Sequence, residues 1–377
     1  MPQNHIWINA GEVSGDMHGA ALARALLKGR PDLRLTGMGG EYMRAAGVQT
    51  RLDIRDLSAL GLTEVVASLP RVGKLLWRTW RELKRLRPAA VVLLDTPDYT
   101  FQVARMARRL GIPVYFYISP QVWAWRKGRV NFLSRVARGI FCILPFEEAF
   151  YAEHGARAEY VGNPLLDELA ERPDLAEVER EPGRVLVLPG SRAKEVDALL
   201  PEFGAAAAML LGEGRDLRFS LARAPSVSEE RIRADWPGGV PMDIVRPDGR
   251  YAAMKRADMA WAASGTVALE TALLGTPTIV AYRLSGLTFA LAKRIIKVEH
   301  ISLPNLILGE RVFPELLQDE ASAGTIAAHA RRWLPPGELE AVRQRLADLA
   351  ERMGEPGAPG RAASSIIQDL TELGRLP

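Results

Sequence analysis

The stretch that decides the fold is Ala260-Trp261-Ala262-Ala263-Ser264-Gly265-Thr266-Val267-Ala268-Leu269-Glu270. Its first half is apolar and its second half has helical spacing, so it predicts a strand, a tight turn and the start of a helix. The turn, Ser264 to Thr266, leaves backbone N–H groups free for an anion, and Gly265 allows a ligand to approach the backbone closely. A diphosphate on this turn and sugar hydroxyls on Glu270 would together describe a nucleotide. The alternative, in which Ser264 and Thr266 only cap a helix, stays open at this point.

The composition predicts a globular chain with more than one domain. The sequence has 377 residues, of which 48% are hydrophobic and 25% are charged, and this length usually divides into two domains. A net charge of +4 and a pI near 9.2 leave room for a local basic face. The single cysteine, Cys142, excludes a disulfide framework, and the five histidines show no metal-ligand spacing. We see no export signal and no apolar run long enough to span a bilayer, so we expect a cytoplasmic protein.

A second glycine turn follows the first predicted strand, residues 5–10. It reads Gly11-Glu12-Val13-Ser14-Gly15-Asp16 and precedes a helical pattern, which is an arrangement that can cradle a phosphate. The spacing Gly-x-x-x-Gly is not the dinucleotide fingerprint, and no acid stands at the end of the next strand to hold a ribose. The turn is therefore a candidate ligand site, although its glycines could serve only to make it tight.

Two carboxylates follow a nearly pure apolar run, residues 89–94. Such a run is typical of a buried parallel strand. Asp95 and Asp98 come directly after it and would face the ligand edge of the sheet, where either could act as a general base. The alternative is that Asp98 only suits the positive end of the following helix dipole.

The segment from Leu57 to Arg87 combines an apolar first part with a basic amphipathic helix. Trp77 and Trp80 lie in the helix, which also carries seven basic residues against one acid, Glu82. This combination is typical of helices that dock on an anionic membrane surface. The alternative is a helix that packs internally and has a solvated basic face.

The βα pattern starts again in the second half of the chain. A strand at 184–188 ends in a turn that contains Ser191 and Arg192, and further strands are predicted near 217–221, 240–244, 258–262 and 278–281. We therefore predict an α/β protein with Rossmann-like domains at 1–165 and 166–345. Residues 346–377 would form C-terminal helices that return to the N-terminal domain.

Seven stretches in this order resemble the lipid-A-disaccharide synthases and span nearly the whole chain. They are 11–16, 95–98, 119–125, 162–165, 188–192 with Glu195, 264–270, and 304–306 with 314–318. The resemblance implies the GT-B glycosyltransferase fold, with two Rossmann-like domains facing across a cleft. It implies an inverting transfer from UDP-2,3-diacylglucosamine to the 6-hydroxyl of 2,3-diacylglucosamine 1-phosphate, which gives lipid A disaccharide 1-phosphate and UDP. No metal and no cofactor are expected.

The same resemblance assigns roles to particular residues. Asp98 is the first candidate for the base, and Asp95 is the second. The donor site would comprise Ser191, Arg192, Ser264, Gly265, Thr266 and Glu270, with Asn305 and Gln318 near the diphosphate or the cleft. The acceptor side would comprise Glu12, Ser14, Gly15 and Asp16, and the region from Leu57 to Leu76 would receive acyl chains. Besides the two substrates, we expect an anionic membrane surface as a partner, with peripheral association at the inner membrane. A homodimer is a further possibility, and nucleic acid is not expected.

Three other functions compete with this one. Another UDP-sugar enzyme of the same fold, such as a 2-epimerase or a soluble-acceptor transferase, is disfavoured by the apolar and basic segment and by the block from Ser119 to Trp125. An NAD-dependent oxidoreductase is disfavoured by the glycine spacing. A non-catalytic two-domain binding protein would usually be exported, and no export signal is seen.

Overall fold

The computed structural model divides the chain into two compact units. The first comprises Met1–Glu168 and Glu355–Pro377, and the second comprises Leu169–Gly354. The structure describes the backbone of residues 4–58, 65–125, 127–283 and 299–377, with side chains for 4–57, 70–123, 128–283 and 299–377. Within these ranges, no helix combines the length and apolar character that a bilayer span requires.

The first unit is built on a seven-stranded parallel sheet. Its strands are β1 (His5–Asn9), β2 (Arg34–Gly39), β3 (Gln49–Asp53), β4 (Ala90–Leu93), β5 (Val114–Tyr117), β6 (Gly139–Cys142) and β7 (Glu159–Tyr160). The spatial order is β3-β2-β1-β4-β5-β6-β7, so the order reverses between β1 and β4. The carboxyl ends of these two strands flank the switch point at which open α/β sheets bind ligands.

Helices cover both faces of this sheet, which is why its central strands are apolar throughout. They are α1 (Val13–Gly29), α2 (Glu41–Ala45), α3 (Arg55–Ser58), α4 (Val65–Leu86), α5 (Pro97–Arg109), α6 (Val122–Trp125), α7 (Val130–Val136), α8 (Glu147–Glu153) and α9 (Pro164–Ala170). Leu22 and Leu26 of α1 belong to the core on one face, and Leu83 of α4 and Phe101 of α5 belong to the core on the other.

The second unit is built on a six-stranded parallel sheet. Its strands are β8 (Glu181–Leu188), β9 (Arg218–Ala222), β10 (Met242–Val245), β11 (Ala257–Ala263), β12 (Thr278–Tyr282) and β13 (Glu315–Leu317). The order is β10-β9-β8-β11-β12-β13, and it reverses between β8 and β11. The turns that follow these two strands are the ones singled out in the sequence, at Ser191 and at Ser264.

The helices of the second unit surround a core in which the rings of Phe203 and Phe219 each contact Trp261. They are α10 (Ala193–Gly212), α11 (Glu229–Asp235), α12 (Arg250–Arg256), α13 (Val267–Leu273), α14 (Leu303–Leu308), α15 (Ala323–Trp333) and α16 (Glu338–Met353). The predicted α/β class with two parallel-sheet domains is confirmed.

The last helix, α17 (Ala358–Glu372), belongs to the first unit. Asp369 accepts a hydrogen bond from the Tyr115 hydroxyl at 2.5 Å and forms an ion pair with Arg138 at 2.6 Å. Ala362 and Ile366 complete the core under α1. These contacts explain why the C-terminal segment folds with the N-terminal sheet, although the whole second unit lies between them in the sequence.

The sequence pattern did not predict β3 and β13. Each lies at one edge of its sheet: β3 begins the strand order of the first sheet, and β13 ends that of the second. The strand β3 reads Gln-Thr-Arg-Leu-Asp and buries only Leu52. In β3 the polar residues of an edge strand hide the apolar signal that reveals central strands, and β13 has only three residues, too few to form a pattern.

Candidate active site

The glycine turn after β1 holds a carboxylate of the chain itself. The N–H of Gly11 donates to Asp95 Oδ1 at 2.9 Å, and the Thr96 hydroxyl donates to the same oxygen at 2.7 Å. A Cβ on Gly15 would lie 1.5 Å from Asp95 Oδ2, and one on Gly11 would lie 2.2 Å from Thr96 Oγ1. The two glycines are therefore needed for the close approach of the β4 turn, and the predicted phosphate cradle is occupied by Asp95.

Asp95 itself is half-buried, and its backbone is strained. Asp95 and Thr96 have φ values of 46° and 34°, in the left-handed region that non-glycine residues rarely adopt. Burial raises the pKa of Asp95 to about 7, against the lowering effect of the hydrogen bonds from Thr96 and Gly11. Its Oδ2 atom is buried and has no hydrogen-bond partner in the described part of the chain.

The four residues predicted for the acceptor side divide into two pairs. Glu12 and Ser14 are exposed, whereas Gly15 and Asp16 are buried. The Asp16 carboxylate accepts hydrogen bonds from the N–H groups of Gly40, Tyr42 and Met43, at 2.6–3.1 Å. Asp16 thus holds the start of α2, and only Glu12 and Ser14 of this set present side chains to solvent.

Asp98 lies in the first turn of α5 with 82% of its side chain exposed, and it pairs with Arg129 at 2.5 Å. The Arg129 guanidinium lies over the ring of Phe101, 5.0 Å from its centroid. The structure thus brings both predicted base candidates to the carboxyl end of β4 but gives them different environments. Asp98 can be reached from solvent, whereas Asp95 is enclosed.

The sequence analysis missed a third carboxylate at this edge, Glu147. It is 1% exposed and accepts hydrogen bonds from Ser119, from the Trp123 indole and from the N–H groups of Ile143 and Leu144. Burial raises its pKa to about 7. Glu147 fixes the segment that begins at Ser119; the side chains at 124 and 125 of that block lie outside the described residues. The only feature of the sequence that could have indicated Glu147 is its position just after β6.

In the second unit, six of the predicted donor residues line one pocket. They are Ser191, Arg192, Ser264, Gly265, Thr266 and Glu270. Glu270 is 9% exposed, at the fourth position of α13, and its carboxylate lies 3.6 Å from the Arg250 guanidinium. No carboxylate of the described residues accepts a hydrogen bond from Gly265 or Thr266 N–H, so this turn can receive an external anion.

The turn at Ser191 is arranged differently. Glu195 Oε2 accepts hydrogen bonds from the N–H groups of Ser191 and Arg192, each at 3.3 Å. The Arg192 guanidinium pairs with Glu195 Oε1 at 2.8 Å and keeps 83% of its side chain exposed. The backbone of this turn is therefore occupied, and Arg192 places an exposed cation at the pocket rim.

Asn305 and Gln318 are not among the residues that line this pocket. Asn305 is fully buried; it donates to Phe313 O and Glu315, and it accepts from the N–H groups of Val312 and Phe313. Its amide therefore organises the loop before β13. Gln318 follows β13 with a φ of 53°, and its carbonyl accepts a hydrogen bond from Arg283.

Two arginines that the sequence analysis did not name also line the pocket, Arg223 and Arg250. Arg223 comes directly after β9, and the Arg250 guanidinium stacks over Tyr251 at 4.4 Å. Their positions near strand ends could have indicated them. Within the described ranges no cluster of His, Cys, Asp or Glu suits a metal ion. Arg192, Arg223 and Arg250 place three guanidinium groups around this pocket.

Part of the predicted acyl-chain region, Leu57 to Leu76, lies outside the described residues. This applies to 59–64 and to the side chains at 58 and 65–69. Of the remainder, Leu75 is buried in the core of the first unit, and Leu57 and Leu76 pack against that core.

Comparison with known proteins adds independent support for a family. The model of the family described as lipid-A-disaccharide synthetase matches residues 6–355. The lipid-A-disaccharide synthase of Myxococcus xanthus (strain DK1622) is 39% identical over 373 residues, which is 97% of this chain and 97% of that protein.

Two solved structures show the same fold. The UDP-GlcNAc 2-epimerase from Neisseria meningitidis has a TM-score of 0.62 at 11% identity and covers 98% of this chain and 100% of its own. CalG4, the calicheamicin glycosyltransferase, has a TM-score of 0.63 at 16% identity, with coverage of 99% and 100%. These identities carry the fold alone, and the fold is the GT-B arrangement that the motifs implied. The family match over nearly the whole sequence, together with the full-length similarity to curated relatives, shows that this chain belongs to the lipid-A-disaccharide synthetase family.

Proposed function

We propose that this enzyme transfers 2,3-diacylglucosamine from its UDP derivative to the 6-hydroxyl of 2,3-diacylglucosamine 1-phosphate, with inversion at the anomeric carbon. The products are lipid A disaccharide 1-phosphate and UDP. The observation that carries the proposal is the family match over residues 6–355, since it covers both units and every stretch that the motifs singled out.

The donor nucleotide is assigned to the pocket of the second unit. Its turn at Ser264 has N–H groups that no described carboxylate occupies, and Arg192, Arg223 and Arg250 surround it with positive charge. In this assignment the diphosphate binds the turn, and Glu270 accepts hydrogen bonds from the ribose hydroxyls. In this assignment the arginines stabilise the charge that develops on the leaving UDP.

Asp98 is the proposed general base. A base must come within hydrogen-bond distance of the acceptor hydroxyl, and Asp98 is 82% exposed while Asp95 is enclosed. Asp95 instead joins the turn after β1 to the turn after β4, through its hydrogen bonds with Gly11 and Thr96. Glu12 and Ser14, which are exposed on the first of these turns, are proposed to contact the acceptor sugar.

The helix α4 is proposed to dock the enzyme on an anionic membrane, where diacylated sugars reside. Its face with Leu75, Thr79 and Leu83 is buried, whereas Trp77 is 57% exposed with the Arg81 guanidinium 4.9 Å from its ring. The exposed basic residues are Arg71, Lys74, Arg81, Lys84 and Arg85. Each cation near an anionic surface contributes about 1 kcal/mol, so several suffice for reversible binding. A peripheral position on the cytoplasmic side of the inner membrane belongs to this proposal. A homodimer stays a prediction, to be tested by analytical ultracentrifugation.

The decisive experiment supplies both acylated sugars in detergent and measures the disaccharide and UDP by mass spectrometry. We expect both products in equal amounts, at a rate that EDTA leaves unchanged. A 2-epimerase would instead change the UDP-sugar without any acceptor and would form no disaccharide. A rate that disappears with EDTA and returns with Mg²⁺ would refute the fixed-charge mechanism.

A further inference from the structure

Among the described residues, three backbone anion sites at the carboxyl edge of the first sheet are occupied by the chain's own carboxylates. Asp95 accepts from Gly11, Asp16 accepts from three N–H groups at the start of α2, and Glu147 accepts from two N–H groups after β6. All three carboxylates are largely buried. A phosphorylated acceptor would have to displace a buried charge in order to use any of these turns. At these three turns of the described residues, a phosphate subsite would therefore rely on a side-chain cation.

Most cations near this edge are held by other carboxylates. Arg44 and Arg55 both pair with Asp53, whose side chain is only 25% exposed, and the Arg55 hydrogen bond holds the pKa of Asp53 well below its usual range. Arg78 pairs with Asp56. A ligand that bound Arg44 and Arg55 in place of Asp53 would leave this carboxylate without its two cationic partners. These arginines are therefore unsuitable as anchors for a phosphate.

Arg129 differs because its carboxylate partner is the most exposed of the three: Asp98 is 82% exposed, against 44% for Asp56 and 25% for Asp53. Arg129 lies at the end of the 3₁₀ turn Lys127–Arg129, with 24% of its side chain exposed. The guanidinium plane is supported by Phe101, which packs on Phe132 with ring centroids 4.9 Å apart. An aromatic platform orients the planar guanidinium, which binds phosphate oxygens in a bidentate manner.

The acceptor's chemistry fits this pair of residues. In a sugar 1-phosphate, C1 and C5 are both bonded to the ring oxygen, so the phosphate on C1 and the hydroxymethyl group on C5 flank the same edge of the ring. A base that reaches the 6-hydroxyl therefore lies close to the edge that carries the phosphate. The ion pair of Asp98 with Arg129 offers a carboxylate and a cation next to each other.

We propose that Arg129 binds the anomeric phosphate of the acceptor, and that Arg129 contacts the phosphate in place of Asp98 when the acceptor binds. The inference rests on the proposed function, because it takes the acceptor and the base from it. Arg129 would then give the enzyme a preference for a phosphorylated acceptor: the phosphate occupies the cation, and the Asp98 carboxylate turns to the 6-hydroxyl.

The test compares two acceptors, 2,3-diacylglucosamine 1-phosphate and 2,3-diacylglucosamine without phosphate, in detergent at a fixed donor concentration. We expect Arg129→Gln to raise KM for the phosphorylated acceptor roughly 10- to 100-fold, as the loss of a charge-assisted bidentate contact predicts. KM for the unphosphorylated acceptor and for the donor should stay unchanged. Arg129→Lys, which keeps the charge but not the fork, should give a smaller increase.

A matched control is Arg105→Gln. Arg105 also lies over an aromatic ring, 4.7 Å from the centroid of Phe132, but it stands seven residues along α5 from Asp98. It should leave KM for both acceptors unchanged. If Arg129→Gln does not fold, Arg129→Lys together with inhibition by glucosamine 1-phosphate, compared with glucosamine, gives the same discrimination.

Two results would overturn the inference. An equal loss on both acceptors in Arg129→Gln would mean that Arg129 acts only on Asp98 or on the fold. Unchanged KM for the phosphorylated acceptor would place the phosphate elsewhere. If the parent enzyme forms no disaccharide from either acceptor, the proposed function fails, and this inference fails with it.

Discussion

The substitution Asp95→Asn should make the enzyme more stable at alkaline pH. Asparagine keeps the oxygen that accepts from Gly11 and Thr96. It replaces Oδ2, which has no hydrogen-bond partner among the described residues, with an NH2 group of the same size. It removes a carboxylate whose charge is costly at this buried position. The variant therefore preserves the turn geometry and changes only the electrostatics.

The size of the effect follows from the pKa. Burial raises the pKa of Asp95 from 3.8 to about 7. At about 1.4 kcal/mol for each pH unit between these values, the ionised carboxylate lowers the free energy of unfolding by up to about 4 kcal/mol. Because the folded-state pKa lies above the unfolded one, the parent enzyme has its full free energy of unfolding at low pH. It loses this contribution of Asp95 as the pH rises from about 4 to about 7. The new amide lacks an acceptor, which costs about 1–3 kcal/mol, so the net gain at pH 8 is about 1–3 kcal/mol.

Urea unfolding of the parent and the variant at several pH values between 4 and 8, followed by circular dichroism, measures this difference. The gain should be largest at pH 8, shrink below pH 7 and become a loss of about 1–3 kcal/mol near pH 4, where the parent carboxyl is neutral in both states. A difference that does not change with pH would refute the raised pKa. Turnover should be largely retained; a loss of about 10²-fold or more would instead identify Asp95 as the base.

Three further predictions test the site and the membrane surface. Asp98→Asn should lower kcat by at least about 10²-fold without changing the melting temperature, and near-normal turnover would remove Asp98 as the base. Arg192→Ala and Glu270→Ala should each weaken UDP binding roughly 10-fold in calorimetric titrations, with little effect on acceptor KM; unchanged UDP affinity in both would relocate the donor site. A triple variant reverses three charges on α4, with Lys74→Glu, Arg78→Glu and Arg81→Glu. It should no longer sediment with anionic liposomes at low salt, while its turnover on detergent-dispersed substrate survives. Unchanged liposome binding by the folded variant would contradict docking through this helix.

The sequence by itself determined the class of fold, the family and the order of strand, turn and helix at Ser264. Buried parallel strands are apolar on both faces, so β1, β4, β8 and β11 stand out as short apolar runs, each followed by a glycine or carboxylate turn. Glu270 could be placed because a strand, a turn and a helix are consecutive in the chain. Its distance from the turn is therefore set by local geometry. The same holds for the buried face of α4, which helical periodicity reveals.

Only the tertiary structure decided which of these groups are available to a ligand. Asp95 fills the turn of Gly11, 84 residues earlier in the chain, and Asp16 fills the start of α2. Asn305 is used by the loop before β13, and Glu147 reaches Ser119 and Trp123 from another strand end. A sequence pattern records which residues are polar and near a strand end. It cannot record which N–H groups a carboxylate from a neighbouring strand already satisfies, because the folded sheet creates that pairing.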